Sequence, residues 1–191
     1  MRRALCMVFG AAALTLVNPE FSTRDATADD LQAVSKIKVG SWVDTYGSLI
    51  GPEALRPFLD QPAQLATLHK QLQLPGTLLL VALDRSGVVV GFALTHLAND
   101  PEPLLESLHV APELQGRGVG TMLMRTTASE LKARGYDSMR LGVIVGNAAA
   151  ARFYDRLGGI VVGVEPVSWA AGVLHSVYRW PALAPLISLQ P

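Results

Sequence analysis

The chain has 191 residues, 50% hydrophobic and 17% charged, with sixteen Lys and Arg balanced by sixteen Asp and Glu. This length suits one domain with a sizeable core, and the composition excludes a disordered chain. A formal charge of zero with no basic cluster argues against a nucleic-acid partner, and the lone Cys6 excludes an intrachain disulfide and a Cys-built zinc site.

Arg2 and Arg3 precede an apolar stretch, residues 4–17, and Ala11-Ala12-Ala13 offers small residues suited to signal peptidase. A secretory signal, an over-long start and a short buried element all fit this stretch. It is too short for a membrane span of roughly 20 residues, and no other stretch is long and apolar enough, so no membrane partner is expected. Residues 1–18 are therefore set apart as an N-terminal extension, and residues 19–191 are expected to form a single domain.

Residues 21–24 read as a short strand. Thr27 can cap a helix carrying Leu31, Val34 and Ile37, with Asp29 and Asp30 in the first turn where the helix dipole favours negative charge. Pro52 suits the first position of another helix with Leu55, Phe58 and Leu59 on one face. Gln61-Pro62 interrupts it, and Leu65, Leu68 and Leu72 mark a further helix up to Pro75-Gly76. Residues 77–83 and 88–97 are β-rich runs joined by Asp84-Arg85-Ser86-Gly87, which predicts a hairpin. After a Pro-bounded loop, residues 104–110 form an apolar run. A helix is predicted over 119–134, ended by Gly135, then a strand over 138–145. Asn147 opens a helix through Leu157, stopped by Gly158-Gly159, and two last strands follow over 160–164 and 173–180. This order predicts a mixed α/β sheet, antiparallel at first, with parallel pairing across the 119–134 crossover.

Gln115-Gly116-Arg117-Gly118-Val119-Gly120 lies between an apolar strand and a helix. Alternate glycines let successive N–H groups approach a ligand, and donors at a helix start form a nest for an anion such as a diphosphate. Arg117 can add charge-assisted hydrogen bonds. A plain connecting turn is the other reading. A dinucleotide fingerprint would need Gly or Ala where Thr121 stands and an acid where Val145 stands; a Walker loop would need a lysine that is absent.

With these residues the sequence resembles the GNAT superfamily of N-acetyltransferases. Residues 115–120 match its Q/R-x-x-G-x-G/A loop, Leu105 to Val110 with Pro112 resemble the strand before it, and Asn147 with Tyr154 and Gly158 resemble its N-x(6)-Y-x-x-x-G helix. Ser41-Trp42 through Tyr46 resemble its helical substrate flap. The resemblance spans roughly residues 21–180. It implies a GNAT-like mixed, mostly antiparallel central sheet with a parallel crossover pair, flanked by helices. It also implies acetyl-CoA as co-substrate, no metal, a cytoplasmic setting where that metabolite is found, and transfer to a primary amine by direct attack in a ternary complex. The other functional reading is a catalytically silent acyl-CoA-binding sensor.

By the same resemblance Leu108, His109 and Val110 hold the pantetheine arm, with the N–H of Val110 facing the thioester carbonyl. Gln115, Gly116, Arg117, Gly118, Val119, Gly120 and Thr121 hold the pyrophosphate, and Asn147 contacts the cofactor or simply caps its helix. Tyr154 stands at the place of the acid for the leaving thiolate, or is a core tyrosine. Glu106 is the leading base for the amine, with Glu102 as a weaker alternative; facing solvent or pairing with a basic side chain is its other reading. His69, His96, His109 and His175 show no metal-ligand spacing, and His175 is a minor acceptor-pocket candidate. Trp42, Tyr46 and Trp169 can line that pocket or belong to the core. No Ser–His arrangement is evident, and no covalent intermediate is expected. Gly159 replaces a phenylalanine common in the family, which predicts looser packing beside the cofactor. The acceptor is a small-molecule or peptide amine, and the protein a monomer or homodimer.

Overall fold

The structure is a computed structural model in which residues 20–47, 49–98 and 102–189 are described. The expectations for residues 1–18 lie outside them. The strands are β1 (Phe21–Asp25), β2 (Thr77–Asp84), β3 (Val89–His96), β4 (Leu104–Val110), β5 (Met139–Ile144), β6 (Ile160–Pro166) and β7 (Leu174–Trp180). The helices are α1 (Leu31–Tyr46), α2 (Pro52–Leu59), α3 (Gln61–Gln73), α4 (Val119–Ala133), α5 (Ala148–Arg156) and α6 (Ala184–Ser188). One sheet holds all seven strands in the order β1-β2-β3-β4-β5-β7-β6. Every neighbouring pair is antiparallel except β4 and β5, which are parallel across the α4 crossover.

The predicted strands and helices are found within a residue or two of their expected ends. Polar groups set the boundaries. Thr27 and Asp30 form a capping box ahead of α1, and both terminal nitrogens of Arg24 donate to the Asp30 carboxylate at 2.7 and 2.9 Å. The Asp84 carboxylate accepts from the backbone N–H groups of Ser86 and Val88, which tightens the β2–β3 turn. Asp60 caps α3 by accepting from the N–H of Ala63. Sequence periodicity gave no expectation for α6, which is five residues long; its buried Leu186 joins the core under α4.

Side chains of β2 alternate between two cores. Leu78, Leu80 and Ala82 face α4, with Leu123, Met124 and Leu131. Leu79 and Val81 face the other way, with Phe92 and Leu94 of β3, onto Leu31 and Val34 of α1 and Leu68 of α3. Burial on both faces explains why β2 and β3 read as near-continuous apolar runs instead of an alternating pattern. The α1 stripe that begins with Leu31 and Val34 continues as buried Lys38 and Ser41, so a helix face that starts apolar becomes polar as it crosses β4.

Candidate active site

The sheet is closed at one end of the β4–β5 pair and open at the other. Leu104 is registered with Arg140, and the N–H of Arg140 donates to the Pro103 carbonyl at 3.0 Å. Beyond this point the strands part. A cavity of about 470 Å³ lies there, lined by Leu108, His109 and Val110 of β4 and by Gly142 and Val143 of β5. The glycine loop and α5 line it from one face of the sheet; Ser41, Thr45 and Tyr46 of α1 line it from the other. The gap therefore connects the two faces.

Gly116 and Gly118 have φ of 78° and 85°, a left-handed conformation that other residues adopt only at a cost. This turn aims the start of α4 at the cavity. Within α4 the N–H of Met122 bonds to the Gly118 carbonyl, while by helix geometry those of Val119, Gly120 and Thr121 precede the first available carbonyl. A Cβ on Gly120 would sit 3.2 Å from the Phe153 ring, so glycine keeps this wall open. Gln115, Gly116, Gly118, Gly120 and Thr121 line the cavity; the Val119 side chain is buried in the core and offers only its backbone. Arg117 is placed differently from the expectation. Its guanidinium pairs with Glu20 at 2.9 Å and lies over the Phe21 ring, outside the cavity lining, because β1 and the residue before it supply both a carboxylate and an aromatic face. The donors left facing the cavity are the backbone amides and the Thr121 hydroxyl, a set that fits a diphosphate.

Just before α5, Asn147 caps the helix and also lines the cavity. Its side chain accepts from the N–H of Ala150 at 3.0 Å, and it shares the cavity lining with Tyr46. Tyr154 lines the same cavity with its ring buried among Phe153, Tyr178 and Trp180. Burial, reinforced by nearby Tyr46, pushes the Tyr154 phenol well above the usual tyrosine value, so it keeps its proton throughout the neutral range.

Glu106 sits where β4 bulges. The register passes from Leu94–Ser107 to Thr95–Leu105, leaving Glu106 as the extra residue. Its carboxylate meets His96, accepts from Gln71 at 3.0 Å and lies 3.8 Å from the buried ammonium of Lys38. Burial alone would raise its pKa, but the His96 hydrogen bond and the Lys38 charge outweigh it, and the net shift is downward. Glu106 is thus an ion-paired carboxylate beside the cavity, outside its lining. Glu102 is buried and accepts from Arg179 at 2.8 Å near the closed end of the cleft. His175 lies over Gly142, 3.8 Å from Glu165.

Sequence spacing gave no sign of a Ser–His arrangement, yet the fold makes one. The Ser41 hydroxyl lies 2.7 Å from Nδ1 of His109; both residues are buried and both line the cavity. Burial, then the Lys38 charge, press the His109 pKa down to about 3 against a weaker opposing pull from Glu106, so the imidazole is neutral. The signal that could have found Ser41 is the polar continuation of the buried α1 stripe.

Trp42 stacks on Phe58 of α2 with centroids 3.8 Å apart, and Trp169 of the β6–β7 loop meets both edge-on. Three distant segments are pinned together beside the Ser41 face, and Phe58 was not foreseen among them. The expected loosening at Gly159 is not found. Trp180 fills the space, with atoms 2.6 Å from where a Cβ would stand, and its indole N–H donates to the Leu157 carbonyl.

The model of the acetyltransferase (GNAT) family matches residues 43–159, more than half of the chain. The chain belongs to this family. Among curated relatives, the ribosomal protein bS18-alanine N-acetyltransferase of Salmonella typhimurium is 40% identical over 79 residues, 41% of this chain and 51% of that protein. The streptothricin acetyltransferase of Streptomyces lavendulae is 34% identical over 86 residues, 44% and 46% of the two chains. The chain thus spans about half the length of these relatives. The PaiA N-acetyltransferase of Thermoplasma acidophilum, solved in complex with coenzyme A, shares the fold at a TM-score of 0.68 and 18% identity, over 83% of this chain and 97% of that one. An acetyltransferase structure from Salmonella typhimurium with its cofactor acetyl-CoA gives 0.66 at 25% identity, over 85% and 94%.

Proposed function

We propose that this GNAT-family chain transfers an acetyl group from acetyl-CoA to a primary amine by direct attack in a ternary complex, and that it does so in the cytoplasm. The observation that carries this reading is the cavity through the opened β4–β5 pair, with the glycine loop on one face and the Ser41 side on the other. A donor seated along the loop leaves its thioester between the strands, where an amine arriving past α1 meets it in line.

In this reading acetyl-CoA supplies the activated acyl group and a thiolate leaving group. The backbone amides of residues 116–121 hold its diphosphate and the edge of β4, Leu108 to Val110, holds the arm, with the Val110 N–H toward the carbonyl oxygen. Tyr154 donates its phenolic hydrogen to the departing sulfur. An alkylammonium of pKa about 10.4 costs roughly 4–5 kcal/mol to neutralise at pH 7. Glu106, ionised and close to the cavity, draws that proton through water.

Coenzyme A release from acetyl-CoA, measured with and without a panel of primary amines, tests the proposal. Amine-dependent release supports it. Tight acetyl-CoA binding with no amine-dependent release would instead favour the silent acyl-CoA sensor.

A further inference from the structure

An ammonium ion that becomes a secondary amide sheds two protons, and Glu106 accounts for the first. The second leaves the nitrogen after it has bonded to the acyl carbon, inside the cavity and away from the Glu106 carboxylate. Two buried polar side chains are positioned there. Ser41 and His109 are joined at 2.7 Å, line the cavity on its α1 face and come from elements that meet only in the folded chain. Ser41 lies on the stretch where the buried face of α1 turns from Leu31 and Val34 to Ser35, Lys38 and Ser41, and of these three polar side chains it is the one that lines the cavity.

We propose that Ser41 is a catalytic residue of the acceptor site, whose hydroxyl donates to Nδ1 of His109 and accepts the N–H hydrogen of the attacking amine, relaying its second proton to the imidazole. This inference rests on the acetyl-transfer reading above. The step balances. The nitrogen forms its bond to the acyl carbon as the carbon–sulfur bond breaks, the sulfur takes the Tyr154 proton, and the amine hydrogen passes to the Ser41 oxygen. The Ser41 proton moves to His109, and the imidazolium returns its proton to the Tyr154 phenolate by way of the cavity, restoring the site.

The electrostatics suit a relay. The charged groups facing His109 are Lys38 of α1 and Glu106 of β4, of opposite sign, and Phe92 of β3 covers its ring. A neutral imidazole retains one acceptor nitrogen, which orients the Ser41 hydroxyl and leaves its lone pairs for the amine. His109 is a weak base in this setting. Nitrogen bonded to an acyl carbon is a far stronger acid than a free ammonium, so a weak base at short range is sufficient for the second proton and unsuited to the first.

The test compares wild type, Ser41→Ala, Ser41→Thr and His109→Gln, using an alanine-initiated peptide and spermidine as probe amines. Ser41→Ala should lower kcat by about 10- to 100-fold, in the range of one lost proton-transfer group, while acetyl-CoA affinity by calorimetry stays within about two-fold. Ser41→Thr, which keeps the hydroxyl, should recover most of the rate. In ¹⁵N spectra of the unliganded protein, His109 should stay neutral with its proton on Nε2 between pH 5 and 8, and its Nδ1 resonance should move in Ser41→Ala. A Ser41→Ala kcat near wild type, or a loss of acetyl-CoA affinity that parallels the loss of rate, overturns the relay. So does an Nδ1–H tautomer, or an acetylated Ser41 found after incubation with acetyl-CoA alone. Wild type that binds acetyl-CoA but acetylates neither probe nor any amine of the panel sinks the acetyl-transfer reading and the relay with it, an outcome distinct from a fully active Ser41→Ala.

Discussion

His175 occupies the space that Gly142 leaves free: a Cβ on Gly142 would stand 2.9 Å from Cε1 of the imidazole and closer still to its Nδ1. Gly142 lines the cavity on β5, and His175 of β7, registered with Ile144, reaches it from the diagonal position. The missing side chain on one strand thus sets the position of a titratable one on the next.

Gly142→Ala should therefore displace His175, at a cost of about 1–3 kcal/mol as an overpacked site. The double variant Gly142→Ala/His175→Ala should regain most of this loss. A double-mutant cycle from thermal or urea unfolding measures the coupling, and additive losses would show that the two side chains do not compete.

The glycine loop and its arginine should separate cleanly. Gly118 has a left-handed φ of 85°, so Gly118→Val brings about 1–3 kcal/mol of backbone strain and places a branched side chain at the loop. Arg117 is engaged with Glu20 and Phe21, so Arg117→Ala should change acetyl-CoA affinity by less than about 1 kcal/mol, as for a surface pair. Calorimetric titration of both variants decides it. A larger loss in Arg117→Ala would mean the guanidinium leaves Glu20 to meet the ligand.

Acid sensitivity should trace in part to Asp30. The hydrogen bonds from Arg24 lower its pKa to about 2, from the ordinary carboxylate value of 3.8. A depressed carboxylate contributes stability that is complete above the unfolded value and lost as pH falls through the folded one. The window is thus pH 4 down to 2, with about 2 kcal/mol at stake for this largely buried group. Asp30→Asn should be less stable at pH 7 and should flatten the wild-type decline across that window, read from urea midpoints. An unchanged slope would remove Asp30 as its source.

Tyr154 and Glu106 should differ in how their loss depends on pH. Tyr154→Phe removes a phenol that burial keeps protonated, so turnover should fall about 10- to 100-fold at every pH from 6 to 9. Glu106→Gln should be crippled at pH 7 and recover as pH approaches the amine pKa, more for an alkyl amine than for an α-amine near 8. It should also lose stability, because Lys38 is buried and its close counter-charge is gone. Profiles of kcat/KM against pH, beside melting curves, distinguish the two. A Glu106→Gln profile parallel to wild type would leave Glu106 as an ion-pair partner alone.

What was legible in the chain was local. The tight turn at Gly116 and Gly118, the helix stop at Gly135, the Asn147 cap and the β2–β3 turn each depend on a few consecutive residues, and all were readable from them. Ser41 and His109 are 68 residues apart, and nothing local to either announces the other. The bulge that turns Glu106 toward His96 and Lys38 depends on the register with β3, which periodicity does not carry. Likewise, Gly159 looked like a hole because Trp180, which fills it, arrives from a strand whose place between β5 and β6 was not readable.

Where β4 leaves β5, the ladder between the two halves of the sheet ends after its first rung. Above that rung the strand edges face each other across the cavity, and their backbone groups are not used in β4–β5 pairing. A donor bound there, as proposed above, would add hydrogen bonds between the two halves of the sheet. At a hundred times its dissociation constant such a ligand adds about 2.7 kcal/mol to the folded state. Resistance to proteolysis would then rise with acetyl-CoA concentration, as linkage requires of any ligand that binds the folded state alone.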